Sequence, residues 1–181
     1  MTDAIEIIQR DHVNLDRVLS VLETTVNGFA PDQSKPDLEQ LFSAIYYIRV
    51  FPDRFHHPKE ERYLFPALRA RCPETAELID RLDGQHAQCA GLIDALDTAL
   101  KAFDSGYPAG LEELRGAVRA YVDFQRDHIG LEERELIPLA RDHLEPADWG
   151  AINQAFGMGS DPMFGENMET GFRALFEKIT R

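Results

Sequence analysis

Apolar residues recur near the start of the chain at alternating intervals of three and four: Ile5, Ile8, His12, Leu15, Leu19, Leu22 and Val26. This is the spacing of one face of an α-helix, so it predicts a helix over about residues 3–26. Thr2 or Asp3 would cap its start, and Asn27-Gly28 would end it. A histidine holds one of the inward positions. The same seam returns at an offset of 74 residues as Ile79, Leu82, His86, Cys89, Ile93, Leu96 and Leu100, with His86 in the slot of His12.

Between these two helices the pattern predicts a second, starting near Asp37 and carrying Leu38, Leu41, Ile45 and Ile48 inward. Pro52 and Pro58 interrupt it with kinks or a short break, since each removes a backbone donor and crowds the preceding turn. Leu64, Phe65 and Leu68 return to the core before Cys72-Pro73 closes the element. A fourth helix is expected over about residues 108–143, with Leu114, Val118, Tyr121, His128, Glu132 and Leu139 inward. Residues 146–156 read as a short helix, 157–162 as a loop, and 166–179 as an amphipathic helix with Phe172, Leu175, Phe176 and Ile179 on one side. The fold class is therefore all-α: an antiparallel up-down-up-down four-helix bundle over residues 1–145, with a C-terminal helical extension, 146–181, packing on it.

The even helices share a motif that changes the picture. His56-His57-Pro58-Lys59-Glu60-Glu61-Arg62-Tyr63-Leu64-Phe65-Pro66 returns 72 residues later as His128-Ile129-Gly130-Leu131-Glu132-Glu133-Arg134-Glu135-Leu136-Ile137-Pro138. Each copy sets an imidazole and a carboxylate four residues apart, one above the other on a helix face, which makes half of a metal site. At about 1.5 Å of rise per residue, His12, His56, His86 and His128 lie within roughly two turns of one depth. Taken singly, each histidine is an ordinary core or surface residue. Four imidazoles and two carboxylates converging inside an apolar bundle would leave several polar groups unpaired, at a cost of about 1–3 kcal/mol each, unless a metal coordinates them. Bridging carboxylates with terminal imidazoles suit two iron or manganese ions better than zinc, which favours a closed nitrogen and sulfur tetrahedron.

Composition narrows the function classes. The chain has 181 residues, 44% hydrophobic and 28% charged, ordinary for one globular domain. A net charge of -13 disfavours nucleic acid and anionic membrane surfaces. Without a basic start followed by an apolar run, and without 18 consecutive apolar residues, neither a signal peptide nor a membrane span is expected, so a cytoplasmic monomer or homodimer is the default. Cys72 and Cys89 read as reduced thiols, the latter as core.

A lone His on helices one and three, with His-x-x-x-Glu on helices two and four, resembles the hemerythrin-like (HHE cation-binding) family. The resemblance covers about residues 3–143; His-His-Pro-Lys-Glu-Glu and Asp161-Pro162-Met163-Phe164-Gly165 look like its bacterial branch. Ferritin-like bundles use Glu-x-x-His instead, the reverse order. The resemblance implies two bridged irons, with manganese or zinc as substitutes. Glu60 and Glu132 would bridge them, His12 and His56 would terminate one, and His86 and His128 the other. Oxygen carriers of the family place a further His four residues after the helix 3 ligand, where this chain has Ala90. His57 is the first candidate to fill the gap, through the Pro58 kink, and Glu61 the second. Three functions stay open at this point: reaction with or sensing of dioxygen, nitric oxide or peroxide; iron binding or storage without turnover; and a di-iron oxidase or peroxidase.

Overall fold

A computed structural model describes residues 3–159, 161–164 and 172–179. Every regular element among them is helical. Helix α1 spans Ala4–Asn27, and Asp3 caps it by accepting from the Ile5 amide at 3.0 Å; Thr2 lies outside the described residues. Helix α2, Glu39–Val50, begins two residues later than the pattern suggests, with Asp37 accepting from the Glu39 amide. It continues through α3, His57–Lys59, and α4, Phe65–Arg71. Helices α5, Ala76–Gly106, and α6, Leu111–Leu131, follow. Then come α7, Ile137–His143, α8, Pro146–Gly157, and α9, Arg173–Ile179. Residues 166–171 of the expected last helix lie outside the described residues, as does Gly165; Phe172 and Leu175 are buried and Phe176 partly so.

Helix α1 packs on α2 and α6, and α5 packs on the same two. Hydrogen bonds show the sense of each packing: Gln9 donates to Glu133, Arg126 to Glu23, and Arg115 to the Phe29 carbonyl, so numbers rise along α1 and the residues after it as they fall along α6 and the turn that follows it. Likewise Arg49 meets Asp94 while Arg69 meets Asp80.

The breaks in the second and fourth helices are π-helical turns, Pro52–His56, Glu60–Leu64 and Glu132–Leu136. Each ends just before an X-Pro pair. The residue preceding Pro58, Pro66 or Pro138 donates its amide five residues back, His57 to Pro52, Phe65 to Glu60 and Ile137 to Glu132. A proline lacks the next donor and collides with the carbonyl four residues before it; widening the turn by one residue relieves that collision without breaking the helix. The extra residue shifts every later position around the axis. Leu139, expected inward, is therefore only partly buried, while Leu136, Ile137 and Ala140 take the core.

The apolar interior is divided in two. One cluster runs from Leu15 to Val26 on α1 with Ile93 to Phe103 on α5 and Leu111 to Val122 on α6. The other gathers Ala4 to Ile8, Leu64, Phe65, Ile79, Leu82 and Leu131 to Ala140. Each fully buried Leu or Ile contributes about 1.5–3 kcal/mol, enough to hold a polar layer between the clusters. The C-terminal segment adds to the first cluster: Tyr47 donates to Asp161 Oδ2 at 2.8 Å, the same carboxylate accepts from the Met163 and Phe164 amides, and the Phe172 ring lies edge-on to Tyr47. Tyr47→Phe should leave Asp161 Oδ2 buried and unpaired, lowering stability by about 1–3 kcal/mol in a urea titration of the midpoint; an unchanged midpoint would mean that this contact does not hold the segment.

Candidate metal centre

The layer between the two apolar clusters contains His12, His56, His57, Glu60, His86, His128 and Glu132, all buried, both carboxylates completely. The structure brings the six sequence-predicted residues together. One ligand-capable atom each from His12, His56, Glu60 and Glu132 lie within 4.8 Å of one another, and so do atoms of His57, His86 and His128. Glu132 faces three histidines, with its oxygens 3.1 Å from His12 Nε2, 3.6 Å from His128 Nε2 and 3.9 Å from His86 Nε2. Glu60 lies 3.3 Å from His56 Nε2 and 3.6 Å from His86 Nε2.

A ring of outer groups fixes these imidazoles. His12 Nδ1 donates to Glu133 at 2.7 Å, His56 Nδ1 to Asp11 at 3.2 Å, His86 Nδ1 to Glu61 at 2.9 Å, and His128 Nδ1 to Gln85 at 3.1 Å. With each Nδ1 hydrogen committed outward, each Nε2 turns inward, the arrangement that metal-binding histidines adopt. Two consequences test whether a cation fits. His86 Nε2 and His128 Nε2 stand 3.2 Å apart with lone pairs facing, which calls for a proton or a cation between them. All four oxygens of Glu60 and Glu132, and His56 Nε2, are buried without a hydrogen-bond partner among the described residues. Carboxylate and imidazole donors in that state are what a divalent cation satisfies, so the residues fit a metal.

The hemerythrin HHE cation-binding domain matches residues 3–140. This chain belongs to that family. It is also 27% identical over 177 residues to an uncharacterized protein of Mycobacterium bovis and to one of Mycobacterium tuberculosis. The alignment covers 96% of this chain and 66% of each relative, slightly less than two thirds of their length.

Within this hemerythrin-family layer the two sides differ electrically. Burial disfavours the charged form of His12, but the carboxylates of Glu132 and Glu133 overcome it and raise its pKa to about 9. His56 is likewise held up, against burial, by Glu60 and Asp11. On the other side burial dominates: it lowers His86 to about 3, aided by the neighbouring His128, and it lowers His57 and His128 as well. Glu60 is raised by burial and by Glu132, whereas Glu132 is lowered, against burial, by His128 and His12. The placement of the carboxylates accompanies this asymmetry: Glu132 and Glu133 face His12, Glu60 and Asp11 face His56, and neutral Gln85 stands beside His128 where the first copy has Asp11.

The two candidate additional ligands part company. His57 is buried, and its ring stacks on His86 with centroids 4.2 Å apart. On a regular helix it would point about 100° from His56; the π-turn ending at His56 lets both face inward. Glu61 is largely exposed and spends its carboxylate on His86 Nδ1. His143 is exposed, outside the layer.

Sequence reasoning missed Asp11, Gln85 and Glu133. Their signal was present in the repeat: the second Glu of each Glu-Glu pair supports the histidine of an odd helix, and the residue preceding that histidine supports the histidine of an even helix. Their own side chains carry no unusual spacing, which is why only the paired copies make them visible.

Proposed function

We propose that residues 3–140 form an antiparallel up-down-up-down four-helix bundle holding two iron ions, and that the centre reacts with dioxygen or a related small oxidant in sensing or stress response. Residues 146–181 would then be an extension packed on that bundle. His12, His56, Glu60, His86, His128 and Glu132 would hold the irons, with the two carboxylates between them and His57 completing the His86 side. Iron so held supplies Lewis acidity and a one-electron couple to a small ligand. The residues around it orient the imidazoles from outside, keep bulk water out through the two apolar clusters, and leave a small space lined by His12, Phe51, Pro52, His56 and His128 beside the centre.

The observation that carries this reading is the pair of fully buried glutamates whose four oxygens have no assigned hydrogen-bond partner among the described residues and face imidazole nitrogens, Glu132 toward His12 Nε2 at 3.1 Å and Glu60 toward His56 Nε2 at 3.3 Å. Ala90 leaves the His86 helix without the further histidine found in oxygen carriers of the family, so the centre is expected to oxidise in air instead of holding oxygen reversibly. Optical spectra of the anaerobically reconstituted iron protein on mixing with air test this. Irreversible growth of ferric absorption that vacuum does not reverse is the expected result; an adduct that forms and releases through repeated air and vacuum cycles would make oxygen storage or transport the better reading.

His57→Ala is expected to lower the affinity for one of two irons by about 10-fold or more while the other titrates as before. An unchanged titration and spectrum would place His57 outside the coordination sphere, as a packing partner of His86.

A further inference from the structure

The helix that carries His56 and Glu60 inward has an unusual outward face. Between it and the end of α8 lies a groove of about 420 Å³, within the size range of small-molecule sites. Cations and rings alternate along its wall, Arg54 beside Phe55, then Lys59, then Arg62 beside Tyr63, with Met158 closing the far side. Phe55, Tyr63 and Met158 are large apolar side chains left exposed. Lys59 ties the two walls together by donating to the Met158 carbonyl at 2.7 Å, with its ammonium 5.7 Å from the centre of the Phe156 ring. Arg54 and Arg62 have no ion-pair partner among the described residues.

The second copy of the repeat serves as an internal comparison. Arg126, the counterpart of Arg54, is paired with Asp16 at 2.9 Å and with Glu23 at 3.0 Å. Phe55, Lys59 and Tyr63 correspond to Asp127, Leu131 and Glu135. Arg62 recurs as Arg134, so the outward arginines are common to both copies, whereas the rings and Lys59 belong to the first alone; both copies carry the same inward His-x-x-x-Glu, so the buried layer does not require that aromatic face. On a chain of net charge -13, three cations around exposed rings select for a ligand that is both anionic and planar.

We propose that this groove binds a nucleoside phosphate, with the phosphates on Arg54, Lys59 and Arg62 and the base against Phe55 or Tyr63. Arg54 and Arg62 are eight residues apart, at most about 12 Å along the helix, a gap that two long arginine side chains can close from either end onto a chain of phosphates. Guanidinium groups pair with phosphate oxygens through two parallel hydrogen bonds, and arginine and tyrosine both stack on flat rings. The groove is short and closed by Met158, which suits a small molecule better than an extended acidic peptide.

Fluorescence titration with trinitrophenyl-ATP tests the assignment on the full chain, with ATP, inorganic triphosphate and a polyglutamate peptide as competitors. Saturable binding is expected that weakens about tenfold or more in the doubly charge-reversed R54E/R62E protein and in Phe55→Ala with Tyr63→Ala, a loss near 1.4 kcal/mol. Arg119→Glu, an exposed arginine away from the groove, should bind as the unaltered chain does. Retained helical circular dichroism shows that each variant is folded, since all the altered side chains are exposed. No saturable binding up to about 1 mM overturns the proposal. Equal competition by inorganic triphosphate with no effect of the ring substitutions reduces the groove to a non-specific anion surface and also overturns it. Stronger competition by polyglutamate than by ATP would assign the groove to an acidic protein partner instead.

Discussion

Glu60→Gln is expected to abolish iron binding at one or both positions while leaving the metal-free protein at least as stable as before. The two halves of that statement have one cause. Glu60 is completely buried, burial and the nearby Glu132 carboxylate raise its pKa, and neither oxygen has a hydrogen-bond partner among the described residues. In the metal-free chain its charge is therefore a burden, and a neutral amide of the same shape removes a like-charge contact. With a cation present the situation inverts, because the amide supplies neither the charge nor a bridging pair of oxygens. Outer-sphere partners of metals commonly cost 10–100-fold in affinity when removed, so loss of a bridging group should exceed about 100-fold. Glu132→Gln should also abolish binding, but it should destabilise the metal-free chain, since its carboxylate is what His12 and His128 face. Iron per chain, measured by elemental analysis after desalting, and the thermal midpoint without metal together check the pair. A Glu60→Gln protein that binds two irons unchanged, or one that unfolds without metal, would mean that Glu60 has a structural role instead.

The second large effect is a pH-dependent gap between metal-free and metal-loaded stability. In the metal-free fold His12 has its pKa raised to about 9, against an ordinary value of 6.5, and His56 is raised too. Between these limits the folded chain keeps a proton that the unfolded chain has lost. That contribution is complete below about pH 6.5 and is lost as pH rises through about 9. For His12 alone it amounts to at most about 3 kcal/mol, or roughly 10 °C in midpoint for a domain of this size. When a cation takes the place of those protons, the bound imidazoles are neutral in the fold and neutral in the unfolded chain above pH 6.5, so the penalty vanishes. Thermal scans at pH 6.5, 7.5 and 9 with and without ferrous iron, under anaerobic conditions, should show the metal-free midpoint falling while the loaded one stays level. Parallel curves would contradict a cation at His12 and His56.

The helical seams and the paired motif made the helices, the internal repeat and the grouping of the six residues readable from the sequence, because burial on a helix imposes a period that survives any choice of apolar side chain. The π-turns were less legible. Their trigger, an X-Pro pair after an uninterrupted helical pattern, is visible, but a kink, a break and a one-residue widening all satisfy it, and only packing chooses among them. That choice decides the placement of His57 and the slip that turns Leu139 partly outward in favour of Leu136 and Ala140. The supporting groups Asp11, Gln85, Glu61 and Glu133 are ordinary polar residues in sequence. Their role emerges when four helices bring each of them against an imidazole of another helix.

Crystals of the chain reconstituted anaerobically with ferrous iron, with data collected on both sides of the iron absorption edge, address the central claim most directly. The account predicts two iron peaks about 3–4 Å apart, one bounded by His12 and His56 and the other by His86 and His128, with Glu60 and Glu132 touching both. A single peak, or iron on the exposed carboxylates Glu61 and Asp83 with the buried layer unchanged, would contradict it.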